Sequence, residues 1–542
     1  MQSALSDATS RERHLLPAWW QDLQSPHAYP EPTKAVSVRE THISWVFLLD
    51  RHVYKIRKPV RFSFVDFSTL ERRLDDCRRE LRLNRRLAPD IYLDVVPLVQ
   101  QPDGHYRFGV SGQPIEYAVR MVRLPEQLCL EQVLRRTSIT PYQQEGLIRV
   151  LAGFYQRLPP VTLATEAYCQ RIAGHIADNE NDLVPRVSPG TRTLVQRVLQ
   201  SQRLFLHVFQ HELDTRVQDG RIIEGHGDLR PEHIYLTDPP IVIDAVEFSR
   251  ELRELDVWDE LAFLAMECDR LGHRYLGCQL REAMRHRLAD PASDRLWNFY
   301  KIYRATVRAK VAALTAEQLD GRAQATLRAQ VRDYLLLAEQ YLEKVAPPLL
   351  LVIGGISGSG KSTLARHLAS RLGIAHLSTD QLRQQLLTEQ QLPADRQYRY
   401  STQYRDRVYE ELFERADQQL KEGLSVVLDG TFLERRWRDR AWELAGARRA
   451  LVCFFVCRCP AGICQERIRA RTGDPSEAVP ELVDRQLELQ QHAALDPSIT
   501  WVDTTESLPV QVQTVFDALR SRLSRPPDQT PVHGALSQTD SR

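Results

Sequence analysis

The sequence predicts two folded domains, an α+β domain of two lobes in the N-terminal half and an α/β domain in the C-terminal half. A chain of 542 residues is more than three times the size of a typical domain of roughly 150 residues, so more than one hydrophobic core is expected. Strand-like and helix-like segments alternate after residue 349, a pattern typical of a parallel sheet covered by helices on both faces. Before that point, a short strand-rich segment precedes a longer helical one.

The N-terminal half begins with a strand-rich segment at 35–122. Two apolar runs, 43–49 and 53–56, predict a hairpin, and the next periodic run predicts a helix at 69–87. The rest of this half, up to residue 345, has mainly helical spacing, but β-branched runs return at 223–243. This order predicts a small sheet-containing lobe followed by a larger helical lobe.

Pro347 and Pro348 follow a long helical stretch at 323–344 and predict a linker at 346–348, because two successive prolines stop a helix. The predicted domains are therefore 1–345 and 349–523. After residue 523 the sequence contains many turn formers and almost no apolar residues, which predicts a disordered tail at 524–542.

The C-terminal domain is predicted to contain five strands, each followed by a helix. The strands are predicted at 349–354, 376–378, 425–428, 450–457 and 500–502, and the helices begin at 361, 381, 434, 461 and 509. The run at 450–457 contains Cys453 and Cys457. We predict a buried strand there rather than a metal site, since structural zinc usually requires two close cysteine pairs on turns.

The composition excludes some partners. With 43% hydrophobic and 26% charged residues, the chain has the composition of a soluble globular protein. Its 72 basic and 71 acidic residues give a net charge of +1, so no overall field would hold duplex nucleic acid or an anionic membrane. There is no signal-like start and no apolar run near the ~20 residues of a membrane span. We expect a cytoplasmic protein with neither a membrane nor duplex nucleic acid as a partner.

The segment GISGSGKST at 355–363 matches the pattern GxxxxGK[ST] between an apolar strand and a helix. Its glycines let backbone N–H groups surround phosphates, and the helix N-terminus adds partial positive charge. The pattern predicts that Lys361 contacts the outer phosphates of ATP and that the Ser362 hydroxyl binds Mg²⁺. The residues predicted to bind ATP are Gly355, Ile356, Ser357, Gly358, Ser359, Gly360, Lys361, Ser362 and Thr363.

Further candidate site residues follow the later strands. Asp380 comes just after the second strand, where its carboxylate could take a proton from an acceptor hydroxyl or cap a helix. Arg383, one turn on, could hold an anionic substrate, and Asp429 ends an apolar strand as a direct or indirect Mg²⁺ ligand. Arg467 and Arg471 share one helix face, which suits a lid over the transferred phosphoryl group or a solvated surface.

At these residues the C-terminal half, over about 350–523, resembles small P-loop kinases related to polynucleotide kinase, gluconate kinase and zeta toxin. The resemblance implies phosphate and Mg²⁺ contacts for Lys361 and Ser362, a catalytic base at Asp380 and an acceptor contact at Arg383. It also implies that Arg467 and Arg471 belong to a lid. These kinases phosphorylate chemically different hydroxyls, so the resemblance does not identify the acceptor.

The loop HGDLRPEH at 226–233 precedes a hairpin-like segment that ends at Asp244. Here the chain resembles the aminoglycoside-phosphotransferase and protein-kinase-like fold, over about 35–300. In that family an HxDxxxxN loop supplies a catalytic Asp and a metal-binding Asn, and a second Asp binds Mg²⁺. Asp228 and Asp244 match the two Asp positions, whereas His233 stands at the Asn position. Because imidazole suits Mg²⁺ less well than an amide oxygen, we expect a weakened metal site.

The small lobe supplies a candidate nucleotide-binding lysine. Lys55 lies between apolar strand residues, and Glu80 of the next helix could pair with it; Lys58 is an alternative. Glu247 is a reserve metal ligand near the second Asp. The two domains in this order resemble a bacterial family described as a bifunctional aminoglycoside phosphotransferase and ATP-binding protein.

The predicted function is an ATP-dependent phosphotransferase that uses Mg²⁺ and acts on a hydroxyl of a small molecule. It would have a P-loop kinase centre in the C-terminal domain and a second, kinase-like centre in the N-terminal half that acts on the same or a related molecule. In one alternative the N-terminal half is a ligand-binding or regulatory module without chemistry, which His233 favours. In another the acceptor is a nucleic-acid 5′-hydroxyl, supported by Asp380 and Arg383 but disfavoured by the near-zero net charge.

Overall fold

The chain forms two compact units, Met1–Thr162 with Asp219–Ala292 and Leu163–Gln218 with Ser293–Arg542. The helices before the predicted linker 346–348 therefore group partly with the C-terminal strands. The predicted limits of independently folding domains stay a prediction. From residue 526 on, the predicted tail lies outside the described residues. The computed structural model describes residues 16–62, 65–389, 401–470, 482–493 and 496–525.

Strands in the first unit form an antiparallel six-stranded sheet and three two-stranded pairs. The strands are β1 (Ser37–Glu40), β2 (Ser44–Leu48), β3 (His52–Arg57), β4 (Arg61–Phe62), β5 (Val65–Asp66), β6 (Tyr92–Gln100), β7 (Tyr106–Phe108), β8 (Pro114–Val122), β9 (Ile222–Glu224), β10 (Ile234–Tyr235), β11 (Ile241–Val242) and β12 (Glu254–Asp256). The α-helices of this unit are Leu70–Asn84, Leu130–Arg136, Pro141–Arg157, Val257–Arg270 and Arg274–Arg287.

The six-stranded sheet has the order β1-β2-β3-β8-β6-β7. The predicted hairpin is confirmed as β2 and β3, which pair antiparallel with Trp45 opposite Ile56. The apolar side chains on one face of this hairpin, including Phe47 and Tyr54, pack into one buried cluster, whereas Val53 of the other face belongs to a second. A hydrophobic face of this kind fixes the register, because a slip of one residue would turn every side chain to the other face.

The helix Leu70–Asn84 begins at a capping residue, since the Thr69 hydroxyl accepts a hydrogen bond from the Arg72 amide. Its buried residues include the carboxylates Asp76 and Glu80. Buried carboxylates need cationic partners, and the neighbouring strand β3 carries two cations, Lys55 and Arg57.

The second unit is built on a parallel sheet of five strands in the order β14-β15-β13-β16-β17. All five predicted strands are confirmed, with ends that differ by at most one residue. They are β13 (Leu349–Gly355), β14 (Ala375–Ser378), β15 (Val426–Asp429), β16 (Leu451–Arg458) and β17 (Ile499–Asp503). The α-helices of this unit are Thr165–Leu183, Pro189–Val208, Gln210–Gln218, Asp294–Ala316, Gly321–Glu339, Leu342–Val345, Lys361–Leu372, Thr379–Glu389, Thr402–Lys421, Arg435–Arg448, Ala461–Arg469, Leu482–Ala493 and Leu508–Leu523.

The second unit also bears on two other sequence predictions, a helical stretch and a buried strand. The helical stretch expected at 323–344 is confirmed as two helices, because tight turns at Gln340 and Tyr341, each with a bond to the carbonyl three residues back, interrupt it. Cys453 and Cys457 lie buried in β16, as the strand interpretation predicts. Among the described residues, no helix combines the length and apolar character that crossing a bilayer requires.

Candidate functional sites

The P-loop connects β13 to the helix Lys361–Leu372. Gly358 and Gly360 have φ of 80° and 89°, a region that favours glycine. A Cβ on Gly358 would also lie 2.4 Å from the Cys464 carbonyl oxygen, so no other residue fits without movement. Lys361 is buried at the first position of the helix. The loop therefore presents its backbone and this lysine at the carboxyl end of the central strand.

Side chains from distant segments hold the P-loop. The Thr504 hydroxyl donates to the Ser359 carbonyl at 2.6 Å, and Arg467 donates to the Thr504 carbonyl at 2.9 Å. The amide of Ser357 donates to Oε1 of Gln486 at 2.7 Å. Sequence reasoning singled out Arg467 but missed Thr504 and Gln486, because neither lies in a recognisable motif. The second predicted lid residue, Arg471, lies outside the described residues.

Asp429 ends β15 beside the P-loop strand, with Ile353 of β13 and Ser378 of β14 as its register partners. Oδ2 of Asp429 lies 3.2 Å from Nε2 of His376. Burial alone would raise the pKa of Asp429, but His376, Lys361 and Ser362 together hold it below its usual value.

A divalent cation fits the oxygen atoms at this position. Oδ1 of Asp429 is buried and has no hydrogen-bond partner among the described residues, and the Ser362 hydroxyl is close enough to influence the same carboxylate. Carboxylate and hydroxyl oxygens are suitable ligands for Mg²⁺, which usually takes only one or two protein ligands and completes its shell with phosphates and water. In keeping with such a sparse site, the described residues contain no cluster of three or more His, Cys, Asp or Glu suited to a metal.

Asp380 and Arg383 lie in the first turns of the helix Thr379–Glu389, directly after β14. Nη1 of Arg383 donates to Oδ1 of Asp380 at 3.0 Å. The helix begins at Thr379, so Asp380 occupies the first turn rather than the capping position. Both residues follow the same edge of the sheet that carries Asp429.

In the first unit, Lys55 of β3 contacts two carboxylates. Its Nζ lies 2.9 Å from Oε1 of Glu80 and 2.8 Å from Oδ1 of Asp244. Burial alone would lower the pKa of Lys55, but these carboxylates raise it well above its usual value. The pKa of Asp244 is lowered, because Lys55 and His233 outweigh the effect of burial. Lys58, the alternative, pairs instead with Glu40.

A second cation of β3, Arg57, lies at the centre of a buried ionic cluster. It is 1% exposed, and its guanidinium donates to Asp76 and to Glu80 at 2.7 Å each and also to Glu247. Burial raises the pKa of Glu247 to about 7 despite Arg57. Glu247 thus contacts Arg57. That Glu247 could also serve as a metal ligand stays a prediction. Sequence reasoning missed Arg57, although its position two residues after Lys55 places both side chains on one face.

The loop at 226–233 brings its predicted residues together. The Asp228 carboxylate accepts two bonds from Arg230, at 2.8 and 2.7 Å. Nδ1 of His233 lies 2.8 Å from the Asp228 carbonyl, and its Nε2 lies 3.6 Å from Oδ2 of Asp244. The pairing of β10 with β11 returns the chain to this loop. The bidentate Arg230 was not anticipated, and it restrains the candidate base.

Comparison with curated proteins gives the relationship of the whole chain. Rv2004c, an uncharacterized protein of Mycobacterium tuberculosis strain H37Rv, is 33% identical over 457 residues, which is 82% of this chain and 88% of that protein. The chain belongs to the Rv2004c family. Mb2027c of Mycobacterium bovis matches the chain with the same values. A match of this length exceeds either compact unit, so the similarity to the Rv2004c family includes residues of both.

Other similarities of this Rv2004c-family chain concern the C-terminal part. The family AAA_33, described as an AAA domain, matches residues 350–493, which include the P-loop. A gluconokinase from Sinorhizobium meliloti is 23% identical and covers 32% of this chain and 93% of that chain, with a TM-score of 0.25. A sugar kinase from Janibacter is 23% identical and covers 33% and 96%, with a TM-score of 0.25. The AAA_33 match and the parallel five-stranded sheet identify the C-terminal part as an α/β P-loop domain.

Proposed function

We propose that the chain is an ATP-dependent phosphotransferase and that its C-terminal P-loop domain transfers a phosphoryl group to a hydroxyl of a small molecule. One observation carries this proposal. The buried Asp429, whose Oδ1 has no hydrogen-bond partner among the described residues, lies close enough to Lys361 and Ser362 to be influenced by both. A lysine, a hydroxyl and a carboxylate at the mouth of a P-loop suit a nucleotide triphosphate and its cation.

Each group of this site has a distinct role in the proposed reaction. Ser362 and Asp429 would hold Mg²⁺, which neutralises charge on the phosphate oxygens when bound. Lys361 would bind the outer phosphates, and Arg467, held beside the loop by Thr504, would stabilise the transferred group. Asp380 would accept the proton of the attacking hydroxyl. Arg383, which donates to Asp380, would orient this base and contact the acceptor.

A small-molecule acceptor is favoured over a nucleic-acid end. The net charge of +1 provides no extended positive field for a polyanion. A 5′-hydroxyl oligonucleotide therefore belongs in the acceptor panel as the competing outcome, beside sugars, nucleosides and aminoglycosides.

The first unit has a second candidate function, that of a kinase-like nucleotide-binding domain of two lobes. The contact of Lys55 with both Glu80 and Asp244 supports it, because such a lysine can bind phosphates beside a metal-binding carboxylate. Arg230 engages both oxygens of Asp228, so we propose nucleotide binding with slow transfer, as in a regulatory module. The resemblance to aminoglycoside phosphotransferases supports the proposed fold and the proposed binding of a nucleotide. It does not identify the molecule that would accept the phosphoryl group.

Lys361→Ala in the full chain tests the C-terminal assignment. Because the substitution removes a charge directed at the outer phosphates, we expect acceptor-dependent ATP turnover to fall by about 10²-fold or more. Lys421→Ala is the matched control, since Lys421 is an exposed lysine that ends the helix Thr402–Lys421 before β15. Undiminished turnover in Lys361→Ala would contradict the proposal.

Asp380→Asn separates a catalytic base from a structural residue. The amide keeps the size of the side chain and loses the ability to accept a proton, so transfer should fall by about 10²-fold while the Kd for ATP changes little. Rates and binding titrations on the same protein measure both effects. Equal losses in rate and binding would assign Asp380 a structural role.

A further inference from the structure

The first unit contains a cavity of about 520 Å³ outside the contacts of Lys55 and Asp244. The helix Leu70–Asn84 supplies Arg79 and Arg82, which are three residues apart and share one face of the helix. Two more arginines come from the segment that precedes β12. The charged residues lining this arginine pocket are Arg79, Arg82, Arg250, Arg253, Glu224 and Glu247.

Two of the four arginines already have strong partners. Arg253 is 3% exposed and donates to Oε1 of Glu224 at 2.7 Å and to the carbonyl of Val246 at 2.7 Å. It therefore forms a fixed, buried part of the wall. Arg250 donates to Glu254 at 2.7 Å on the exposed side of the pocket.

The other two arginines retain donors for a ligand. Within the described part of the chain, Arg79 makes only long contacts, 3.5 Å to the Glu247 carbonyl and 3.8 Å to Oδ1 of Asp76. Arg82 is exposed, and no described residue forms a hydrogen bond or ion pair with it. Two guanidinium groups therefore line one cavity with N–H groups that the protein leaves largely unused.

The carboxylates of the pocket do not neutralise these groups. Glu247 bonds to Arg57, outside the lining, and Glu224 bonds to Arg253. Four arginines and two glutamates line the cavity, and only one of these arginines, Arg253, pairs with a lining glutamate side chain, so the cavity has a local excess of positive charge in a chain of net charge +1. This excess favours an anion.

We propose that the arginine pocket binds a phosphate-bearing small molecule. The guanidinium group of an arginine can donate two parallel hydrogen bonds to the oxygens of a phosphate. Two guanidinium groups on one helix can therefore contact two phosphate groups or two edges of one group. A volume of about 520 Å³ lies within the roughly 300–1,000 Å³ typical of small-molecule sites and exceeds the need of a single orthophosphate. The site is separate from the P-loop and does not depend on the function proposed above.

Calorimetric titration with pyrophosphate tests the site. The full chain carrying Lys361→Ala is used, so that the lysine of the P-loop does not contribute. In this background, Arg79→Gln with Arg82→Gln should weaken pyrophosphate binding by about tenfold or more, because charge-assisted hydrogen bonds are lost. The matched control, Arg72→Gln with Arg78→Gln, removes the same charge from the same helix outside the pocket and should change the Kd by less than about twofold.

Several outcomes would overturn the proposal. They are absence of binding by the Lys361→Ala protein at millimolar pyrophosphate, equal weakening in the pocket and control variants, and loss of binding with Lys55→Met but not with the pocket variants. Malonate binding as tightly as pyrophosphate would exclude phosphate as the preferred ligand. Circular dichroism spectra that match the parent protein establish that the variants are folded.

Discussion

At the scale of the residue, His226 is held in its neutral form by two hydrogen bonds. Its Nε2 lies 2.8 Å from the Ile243 carbonyl, so this nitrogen donates, and its Nδ1 accepts from the Asp228 amide at 3.3 Å. Protonation of Nδ1 would remove the second bond. Burial, and then the nearby His233, lower the pKa of His226 to about 4. The loop that carries Asp228 therefore depends on a neutral imidazole.

The first prediction concerns the pH dependence of stability. An unfolded His titrates near pH 6.5, so between about pH 6.5 and 4 the unfolded chain binds a proton that the folded chain does not. Stability should fall as pH falls through this window, by at most about 1.4 kcal/mol per pH unit from this group. Urea unfolding at pH 7 and pH 5 should show a smaller pH dependence for His226→Gln than for the parent. His286→Gln, at an exposed histidine, is the control, and equal pH dependence in parent and His226→Gln would contradict the account.

The site residues that sequence reasoning found lie in short patterns of neighbouring residues, whereas Arg57, which it missed, is defined by contacts with residues far along the chain. Lys55 and Lys361 stand in patterns of a few neighbouring residues, which a single chain displays. Arg57 acts through carboxylates, one of which, Glu247, lies 190 positions away in the chain. Such ion pairs depend on how the chain folds back, and no local spacing encodes them. The alternation of β3 could still have indicated that Arg57 shares the face of Lys55.

At the scale of the element, the parallel sheet was predictable because its strands are buried and continuous in apolar residues. β13, β15 and β16 are almost wholly buried, so they read as apolar runs between helices. Helix ends were less accurate where tertiary contacts decide. Tyr341 is 1% exposed, and its packing coincides with the break that the sequence pattern did not reveal.

The helix Leu482–Ala493 provides the second prediction. Its Gln486 accepts the Ser357 amide, a group that a phosphate oxygen would need in a P-loop. Gln486→Ala removes this competitor, so the affinity for ATP should rise by roughly 2- to 10-fold, the equivalent of one neutral hydrogen bond. Titration with a fluorescent ATP analogue measures the change, with the exposed Glu488→Ala of the same helix as control. Weaker binding in Gln486→Ala would instead show that the glutamine helps to hold the nucleotide.

At the scale of the whole molecule, the chain alternates between its two units. Residues Leu163–Gln218 join the second unit, and Asp219–Ala292 return to the first. Within the second unit, the Gln200 side chain bonds to the Gly373 carbonyl and to the Ser425 amide at 3.0 Å each. The sequence predicted where helices and strands occur, but the partner of each helix depends on such long-range contacts. A linker of prolines marks an end of a helix more reliably than the edge of a compact unit.

The last prediction rests on the two nucleotide sites proposed above, one in each unit. Lys55 lies between Glu80 and Asp244, and Lys361 opens the P-loop helix near Asp429. The full chain carrying Arg79→Gln and Arg82→Gln, which removes the proposed arginine pocket, is the parent protein here and should therefore bind two molecules of a non-hydrolysable ATP analogue in equilibrium dialysis with Mg²⁺. Lys55→Met and Lys361→Ala should each bind one, and the double variant none, because each substitution removes the cation that faces the phosphates.

The matched control is Lys58→Met, which removes a neighbouring lysine paired with Glu40 and should leave two sites. A parent stoichiometry of one that Lys361→Ala abolishes and Lys55→Met preserves would limit nucleotide binding to the P-loop domain. The contacts of Lys55 with Glu80 and Asp244 would then contribute to stability alone. The opposite result, a single site lost only in Lys55→Met, would contradict the P-loop assignment itself, since a lysine already buried at a helix N-terminus would then serve packing and not phosphate.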